Sequence, residues 1–428
     1  MTYVSRNRTL ICTALFLCAL TPALAADWAQ FRGPGGLATA DDQSLPTKWD
    51  AETNIAWKTA LPGPGASSPI VVGDRIFLTC YTGYGVDKKT PGEYADLVMH
   101  LVCLNRADGA VAWEKPFKTE AEMPPISVYQ MALHGYASAT PAADADTVYT
   151  LFANGEVAAW GFDGTQKWTR NLNFRVHPWG AGASPVVAGD VVLALECIGG
   201  GVLVGLNKKT GEEAWRQGNI DVAWDTPLIL EVGGRHEAVV SAKGVILAFD
   251  PATGTPLWKA KGIPGYLCPS PVTADGVVYA IGWSAAGEQA VAVKAGGQGD
   301  VTASNVLWRV DRGSYVPSPV YWDGHLYWAH ESKGKVYCVN VKTGQLAYET
   351  DLAPKPAWIY GSPIVGGGNL YYVDRNGVTY VVAARPQFEI VSVNTLTGDG
   401  GTFNASPIAS EGQLLIRSDK YLYCIGSK

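Results

Sequence analysis

The sequence lacks an apolar run long enough to cross a membrane as a helix, which takes about 20 consecutive apolar residues. The run at Leu10–Leu20 is shorter, and no later stretch approaches that length. This run follows Arg6 and Arg8 and precedes Ala23-Leu24-Ala25, a small-x-small pattern of the kind that signal peptidase cleaves. We therefore predict a signal peptide over residues 1–25 and a periplasmic or secreted product without a transmembrane segment.

Basic charge is also scarce. Lys and Arg total 33 against 39 Asp and Glu, and the net charge of −6 is spread along the chain without blocks of one sign. A protein that binds nucleic acid needs a concentrated basic surface to neutralise phosphates. The composition therefore argues against a nucleic-acid partner.

The six cysteines that follow the predicted signal peptide form no Cys-x-x-Cys motif and show no paired spacing. Cys103, Cys338 and Cys424 occupy the same place in three repeated segments, which is typical of small buried strand residues. Cys80 and Cys103 are expected on neighbouring strands of one repeat. A cross-strand disulfide between these two remains an open alternative.

Motifs for the common catalytic sites are missing as well. The sequence contains no Gly-x-Ser-x-Gly, so it gives no sign of a serine hydrolase. No two histidines stand four residues apart, and no Gly-x-Gly-x-x-Gly joins a strand to a helix. We predict no metal site.

What the sequence does contain is a repeat with a period near 44 residues. A Ser/Thr-Pro pair followed by a short apolar run occurs eight times, and the period holds except for an insertion in the first unit. A period of this size suits a four-stranded propeller blade. The eight pairs are Ser68-Pro69, Thr140-Pro141, Ser184-Pro185, Thr226-Pro227, Ser270-Pro271, Ser318-Pro319, Ser362-Pro363 and Ser406-Pro407.

Each unit reads as four antiparallel strands, because apolar runs of β-branched residues alternate with Gly-Asp or Thr-Gly turns. A large aromatic recurs on the last strand, eight residues beyond an Asn or Asp, as in Asn207 and Trp215. Such a side chain can bury on the order of 200 Å² against the next blade. The final unit, Ser406 to Gly426, has room for only three strands, whereas Asn54 to Trp57 reads as an outer strand without a unit.

The sequence therefore predicts an all-β fold, a single eight-bladed β-propeller of four-stranded antiparallel blades whose ring is closed by an N-terminal outer strand. The predicted organisation is a signal peptide at 1–25, an N-terminal extension at 26–53 and the propeller at 54–428. The first blade carries an insertion at about 81–137, for which a lid and a partner contact are equal alternatives.

These repeats resemble the pyrroloquinoline-quinone-like propeller family, whose blades carry a docking tryptophan after Asp or Asn and Thr-Gly. The opening Asp27 to Pro34 and the stretch Gly297 to Thr302 resemble a secreted subgroup of planctomycete type. The family includes the propeller lipoprotein of the outer-membrane β-barrel assembly machinery and, more distantly, quinoprotein alcohol dehydrogenases. The dehydrogenases' adjacent Cys-Cys pair and the Cys-x-x-Cys-His of their haem-attached relatives have no counterpart here. Pyrroloquinoline quinone stays a possible cofactor that the missing Cys-Cys pair does not support, and we expect Ca²⁺ only if the quinone binds.

Candidate site residues come from the loops that lead into the inner strands, here called the mouth loops, because such loops crowd one end of a propeller channel. Seven of the eight present an aromatic and two bring a histidine. We predict catalytic candidates His134, His177 and Asp225. The predicted ligand-binding residues are Tyr136, Arg175, Trp179, Trp224, Tyr266, Tyr315, Trp358, Tyr360 and Asn404.

Loops between the second and third strands should reach the same mouth. They offer charged groups that we interpret mainly as a solvated rim, although a buried carboxylate beside His or Arg would suit general-base work. These loops contain the ionisable residues Glu196, Lys243, His330, Glu331, Asp374, Arg375 and Arg417, together with Trp283.

Three functions are compatible with the sequence. The leading one is a monomeric binding or scaffold module of the cell envelope that engages a protein, peptide or carbohydrate through one face. The second is a quinoprotein-like oxidoreductase acting on alcohols or sugars. The third is a lyase or epimerase of acidic sugars, with His134 or His177 as base and Arg175 neutralising the substrate carboxylate.

Overall fold

The computed structural model describes residues 27–40, 44–87, 89–118, 134–175, 177, 179–396, 398 and 400–427. The predicted signal peptide lies outside these residues, as does the segment 119–133 of the predicted first-blade insertion. No helix within the described ranges is long and apolar enough to cross a membrane.

Eight sheets form a ring, and each contains a blade of four antiparallel strands, which confirms the predicted eight-bladed propeller; two of the sheets gain a short fifth strand. Consecutive strands pair antiparallel within each blade, and the first strands of neighbouring blades contact one another around a channel. From inner to outer, the strands of blades 1 to 4 are Ile70–Val72, Arg75–Thr82, Val98–Asn105 and Val111–Phe117; Ala142–Ala143, Thr147–Leu151, Glu156–Gly161 and Gln166–Asn171; Val186–Ala188, Val191–Leu195, Gly201–Asn207 and Glu213–Ile220; Leu228–Val232, Arg235–Ala242, Val245–Phe249 and Pro256–Lys261.

Blades 5 to 8 repeat the arrangement, and a few short helices and strands lie outside the four strands of each blade. The strands are Val272–Ala274, Val277–Ser284, Gly287–Lys294 and Val306–Val310; Val320–Trp322, His325–Ala329, Lys335–Asn340 and Leu346–Asp351; Ile364–Gly366, Asn369–Val373, Val378–Ala383 and Ile390–Thr395; Ile408–Ser410, Gln413–Arg417, Tyr421–Ile425 and Ile55–Ala60. The short elements are the strands Thr39–Ala40 and Gly299–Asp300, the 3₁₀-helices Pro34–Gly36 and Tyr94–Asp96, and the α-helix Thr302–Asn305.

The N-terminal strand Ile55–Ala60 completes blade 8 by pairing antiparallel with Tyr421–Ile425, which confirms the predicted closure. Arg417 reinforces this junction from the blade 8 side. Its Nη1 donates to the carbonyl and hydroxyl oxygens of Ser67, at 2.6 and 2.5 Å, and its Nη2 donates to the Thr79 carbonyl at 2.9 Å. Arg417 is only 1% exposed, so it belongs to the junction of blades 8 and 1 rather than to the expected solvated rim.

A closed circle of eight hydrogen bonds surrounds the channel at the Ser/Thr-Pro pairs. The backbone N–H of each Ser or Thr donates to the side-chain hydroxyl of the corresponding residue in the next blade, over 2.8 to 3.1 Å, and Ser406 donates to Ser68 to close the circle. All eight residues are buried. Since proline has no N–H, these amides are the last donors before each inner strand, and the hydroxyls satisfy them.

Tryptophans join the blades at the perimeter, as predicted. In five blades the indole Nε1 of the outer-strand tryptophan donates to a carbonyl of the next blade over 2.8 to 3.2 Å, and the ring lies against the glycine of that blade's last turn. Trp258 differs, because its Nε1 donates at 2.6 Å to the buried Glu237 of its own blade. The five tryptophans are Trp57, Trp113, Trp168, Trp215 and Trp308.

The segment 27–40 runs across the channel beyond the circle of hydroxyls. Trp28 forms a bridge with Val71 of blade 1, and the Ala29 carbonyl accepts from Ala143 of blade 2. On the other side, Thr39–Ala40 pairs parallel with Ile364–Gly366, the inner strand of blade 7. The segment therefore closes this end of the channel.

The six cysteines Cys80, Cys103, Cys197, Cys268, Cys338 and Cys424 are all free thiols. Cys80 pairs with His100 across the two central strands of blade 1, whereas Cys103 pairs with Phe77. The two cysteines are therefore three positions apart in register and face opposite sides of the sheet, which rules out the cross-strand disulfide in this fold.

We expect Gly211→Ala to destabilise the protein by roughly 1–3 kcal/mol more than Gly276→Ala. Both glycines have a φ of +71°, so both substitutions carry the same backbone strain. A Cβ on Gly211 would lie 2.5 Å from the Trp168 ring, whereas one on Gly276 would meet nothing within 4 Å. Urea unfolding of the two variants measures the difference; equal losses would contradict the role given to the tryptophan contact.

Candidate functional site

A blind, funnel-shaped cavity of about 420 Å³ opens on the mouth-loop side of the channel. Its floor is formed by Phe31, from the segment that crosses the channel, and by six of the eight ring hydroxyl residues. Seven of the twelve predicted site residues line its wall: His134, Trp179, Trp224, Tyr315, Trp358, Tyr360 and Asn404. The sequence offered no signal for Phe31, because it lies outside the repeat.

The residues just before each Ser/Thr-Pro pair point alternately into the cavity and into its wall. The residue two positions before the Ser or Thr lines the cavity in all eight blades, and the residue one position before it never does. Proline holds the Ser or Thr before it extended, and successive side chains along an extended backbone point to opposite sides, as observed in these loops. The eight lining residues are Ala66, Ser138, Gly182, Trp224, Cys268, Val316, Tyr360 and Asn404.

The mouth of the funnel carries exposed aromatic side chains. Trp179, Tyr266, Trp283 and Trp358 are 42, 39, 40 and 48% exposed, although residues of this kind are usually buried. Tyr266 leans on Trp224, with ring centroids 5.9 Å apart, and Trp283 meets Tyr315 edge-on at 6.0 Å. We call these four residues the aromatic crown.

His134 links two mouth loops. Its Nε2 lies 2.5 Å from the Trp179 carbonyl oxygen, which can only accept, so Nε2 carries the proton. Nδ1 then accepts from the Ser138 hydroxyl at 2.8 Å. Burial lowers the pKa of His134, against the opposing effect of the bond to Trp179. The imidazole is therefore neutral, with neither nitrogen free to act as a base in this arrangement.

His177 and Arg175 lie outside the cavity lining. The His177 Nδ1 accepts from the Trp179 amide at 3.1 Å, its ring meets Trp224 edge-on at 4.7 Å, and burial lowers its pKa. Arg175 contacts Glu196 through Nε at 3.0 Å and through Nη2 at 3.2 Å. The guanidinium is thus already neutralised by a carboxylate on the rim.

Tyr136 and Tyr266 are also absent from the lining. Tyr136 is 1% exposed and packs edge-on against Tyr81 at 5.6 Å, in a buried cluster with Tyr84 within the predicted first-blade insertion. Tyr266 belongs to the aromatic crown. Of the aromatic ligand-binding candidates, these two therefore stand outside the cavity itself.

Asp225 faces the wall because it lies one position before Thr226. It is fully buried; its Oδ2 accepts from the Ser241 amide at 2.8 Å, and its Oδ1 has no hydrogen-bond partner. Burial raises the pKa of Asp225 to about 8, although the Ser241 hydrogen bond works in the opposite direction. The carboxyl is therefore largely protonated at neutral pH and is separated from the cavity by its own loop.

Among the residues that the structure describes, Glu331 is the one carboxylate in the lining. Its Oε2 accepts from the Ser314 hydroxyl at 3.1 Å and from the Tyr315 amide at 2.9 Å, and its side chain is 14% exposed. The sequence placed Glu331 among the rim residues, whereas the fold brings it to the cavity between the mouth loops of blades 6 and 7.

The lining does not fit pyrroloquinoline quinone. This cofactor carries three carboxyl groups, yet no Lys or Arg lines the cavity among the described residues, and the charged side chain present is Glu331. A buried anion without a cationic partner is strongly disfavoured. In the described part of the chain, no three His, Cys, Asp or Glu residues are grouped closely enough to hold a metal ion such as Ca²⁺.

Comparison with known proteins agrees with the propeller architecture. Residues 98–223 and 199–428 match the family model described as outer membrane protein assembly factor BamB. The chain belongs to the BamB family. Among curated proteins no sequence matches. The family membership confirms the resemblance drawn from the repeats.

Solved structures show the same fold at low identity. BamB from Moraxella catarrhalis aligns with a TM-score of 0.59 and 16% identity over 87% of this chain and 96% of its own. The quinohemoprotein alcohol dehydrogenase from Comamonas testosteroni aligns with a TM-score of 0.64 and 12% identity over 95% of this chain and 81% of its own. These similarities establish the architecture that this BamB-family chain shares with both.

We expect the stability of the protein to fall as the pH rises from about 4 to about 8, because the folded state binds the Asp225 proton more tightly than the unfolded chain does. Asp225→Asn removes this cost. Its stabilising effect should be small at acidic pH and should reach roughly 3–6 kcal/mol above pH 8.

Thermal unfolding across this pH range measures the effect, with Asp190→Asn at an exposed turn as the control. A stability gain for Asp225→Asn that is independent of pH would show that the buried carboxyl is not the group that titrates.

Proposed function

We propose that this protein is a binding or scaffold propeller of the cell envelope that engages its partner through the aromatic crown and the cavity below it. The observation that carries the proposal is the clustering of four exposed aromatic side chains around one blind cavity. Exposed tryptophans and tyrosines are the residue types that dominate binding interfaces. Their flat faces suit a protein, peptide or carbohydrate partner.

The contacts that the catalytic candidates already make within the protein favour a binding role over catalysis. Both nitrogens of His134 are engaged within the protein, and Arg175 is paired with Glu196. A lyase or epimerase would need His134 or His177 as a base and Arg175 to neutralise a substrate carboxylate. None of these groups combines a place in the cavity lining with an unengaged reactive atom, so the binding role is the better supported of the two.

The family supports a place in the envelope. Its model bears the description of an outer membrane protein assembly factor, and a leader sequence is expected at residues 1–25. We therefore propose that the mature protein works in the periplasm or outside the cell, as a monomer. His134, which belongs to the predicted first-blade insertion, lines the cavity, so the insertion would add to the partner contact.

We expect pyrroloquinoline quinone to show no saturable binding at micromolar concentration, with or without Ca²⁺, because the cavity lining offers its carboxylates no cation. Absorbance titration and dye-coupled turnover of alcohols and sugars measure this. Tight quinone binding with turnover would instead establish the oxidoreductase alternative, for which the fold similarity to the quinohemoprotein dehydrogenases speaks.

We expect a photo-crosslinking residue at position 358 to give a discrete adduct in envelopes of the producing cell, whereas the same residue at position 346 gives none. Trp358 and Leu346 have similar exposure, 48 and 39%, but Leu346 lies on an outer strand. Adding Trp179→Ala should lower the adduct yield severalfold, because hot-spot tryptophans carry much of an interface's energy. Equal labelling from both positions would contradict a partner site at the mouth.

A further inference from the structure

We propose that the cavity selects a ligand that carries an ammonium group next to an apolar or aromatic body. This inference rests on the proposed function, since it names the chemical class that the binding cavity takes.

The first observation is the uncompensated charge of Glu331. The donors to its Oε2, the Ser314 hydroxyl and the Tyr315 amide, are neutral groups, and so is the Ser332 hydroxyl, which donates to Oε1 at 3.4 Å. The His330 Nδ1 lies 3.4 Å from Oε1, but it accepts from the amides of Ser332 and Lys333, so it presents a lone pair rather than a proton. No Lys or Arg pairs with Glu331 in the described residues. A carboxylate with about four acceptor positions therefore keeps capacity for a cationic donor.

The second observation is that aromatic residues neighbour Glu331 in the cavity wall. The Tyr315 backbone amide donates to the Glu331 carboxylate, and the backbone amide of Ile359, the residue after Trp358, donates to the Glu331 main-chain carbonyl at 2.8 Å. Tyr315, Trp358 and Tyr360 all line the cavity. Rings of this kind attract ammonium groups through their faces, and several rings together form the cages that recognise alkylated amines.

Among the described residues, the Lys and Arg side chains near the mouth do not pair with the Glu331 carboxylate. Arg375 lies over the Tyr360 ring at 4.8 Å and donates to Asn404 at 2.9 Å, and Lys243 lies over Tyr266 at 5.3 Å. These contacts already show the rings of the mouth accepting cations. Two buried guanidiniums near the channel donate to backbone carbonyls and are likewise absent from the lining: Arg32 and Arg417.

The test uses three probes of similar shape and different charge, namely benzylammonium, benzyl alcohol and benzoate, titrated into the mature protein near neutral pH and followed by calorimetry. We expect affinity to fall in that order, with benzylammonium at least about tenfold tighter than benzoate. Equal affinities, or tighter binding of benzoate, would overturn the assignment of the ligand class.

Glu331→Gln separates the charge from the shape of the site. The amide oxygen can still accept from Ser314 and Tyr315, so we expect an unchanged melting temperature, about tenfold weaker benzylammonium binding and an unaltered affinity for benzyl alcohol. The control, Glu349→Gln, removes the same charge from the outer strand of the same blade and should leave all three affinities within about twofold. Trp358→Ala should weaken all three probes.

The outcomes distinguish this inference from the function on which it rests. If the three probes bind equally, or if Glu331→Gln leaves benzylammonium binding unchanged, the ammonium assignment fails while the cavity remains a binding site. If no probe binds, the assignment fails as well, and the crosslinking comparison at positions 358 and 346 still decides whether the mouth meets a partner.

Discussion

The rest of the structure depends on the circle of eight hydrogen bonds between backbone amides and hydroxyls at the Ser/Thr-Pro pairs. Each blade supplies one donor and one acceptor, so the pattern is complete only when eight blades close on one another. The proline removes any competing donor and holds the preceding residue extended. A buried amide left without its hydroxyl would cost about 1–3 kcal/mol. The junctions between blades are held at three distances from the channel. The hydroxyl circle lies nearest, the Arg417 contacts join blades 8 and 1 farther out, and the tryptophans join the blades at the perimeter.

The same constraint shapes the funnel. Because the backbone ahead of each proline is extended, side chains two positions before the hydroxyl face the cavity and those one position before it face the wall. Trp224 and Asp225 are neighbours in sequence, yet one lines the cavity and the other is buried behind it. The cavity is consequently lined by aromatic and small side chains together with the carboxylate of Glu331. The mouth residues His134, His177 and Arg175 instead make hydrogen bonds within and between the loops. A site of this composition is suited to binding.

Much of the fold was predictable because its determinants repeat. The Ser/Thr-Pro period, the outer tryptophans and the orphan strand at Trp57 are local patterns, each copied several times. The cavity was predictable in part, since Trp179, Tyr315 and Tyr360 lie in loops whose position follows from the repeat. Whether a given side chain points into the cavity or into the wall depends on the alternation ahead of the proline. Applying that alternation to the sequence would have placed Trp224 in the cavity and Asp225 in the wall. Phe31 and the segment that crosses the channel belong to no repeat, and the role of Arg417 depends on contacts between the two ends of the chain.

Hydrogen exchange at the mouth loops, compared between the wild-type protein and Ser184→Ala, tests most directly whether the hydroxyl circle organises this site. The Thr140 amide donates to the Ser184 hydroxyl at 3.0 Å. The account predicts that the amides of the eight Ser/Thr residues exchange as slowly as those of the central strands, and that Ser184→Ala accelerates exchange at Thr140 and in the adjoining loop of His134. Rapid, loop-like exchange in the wild type, or no change in the variant, would contradict it.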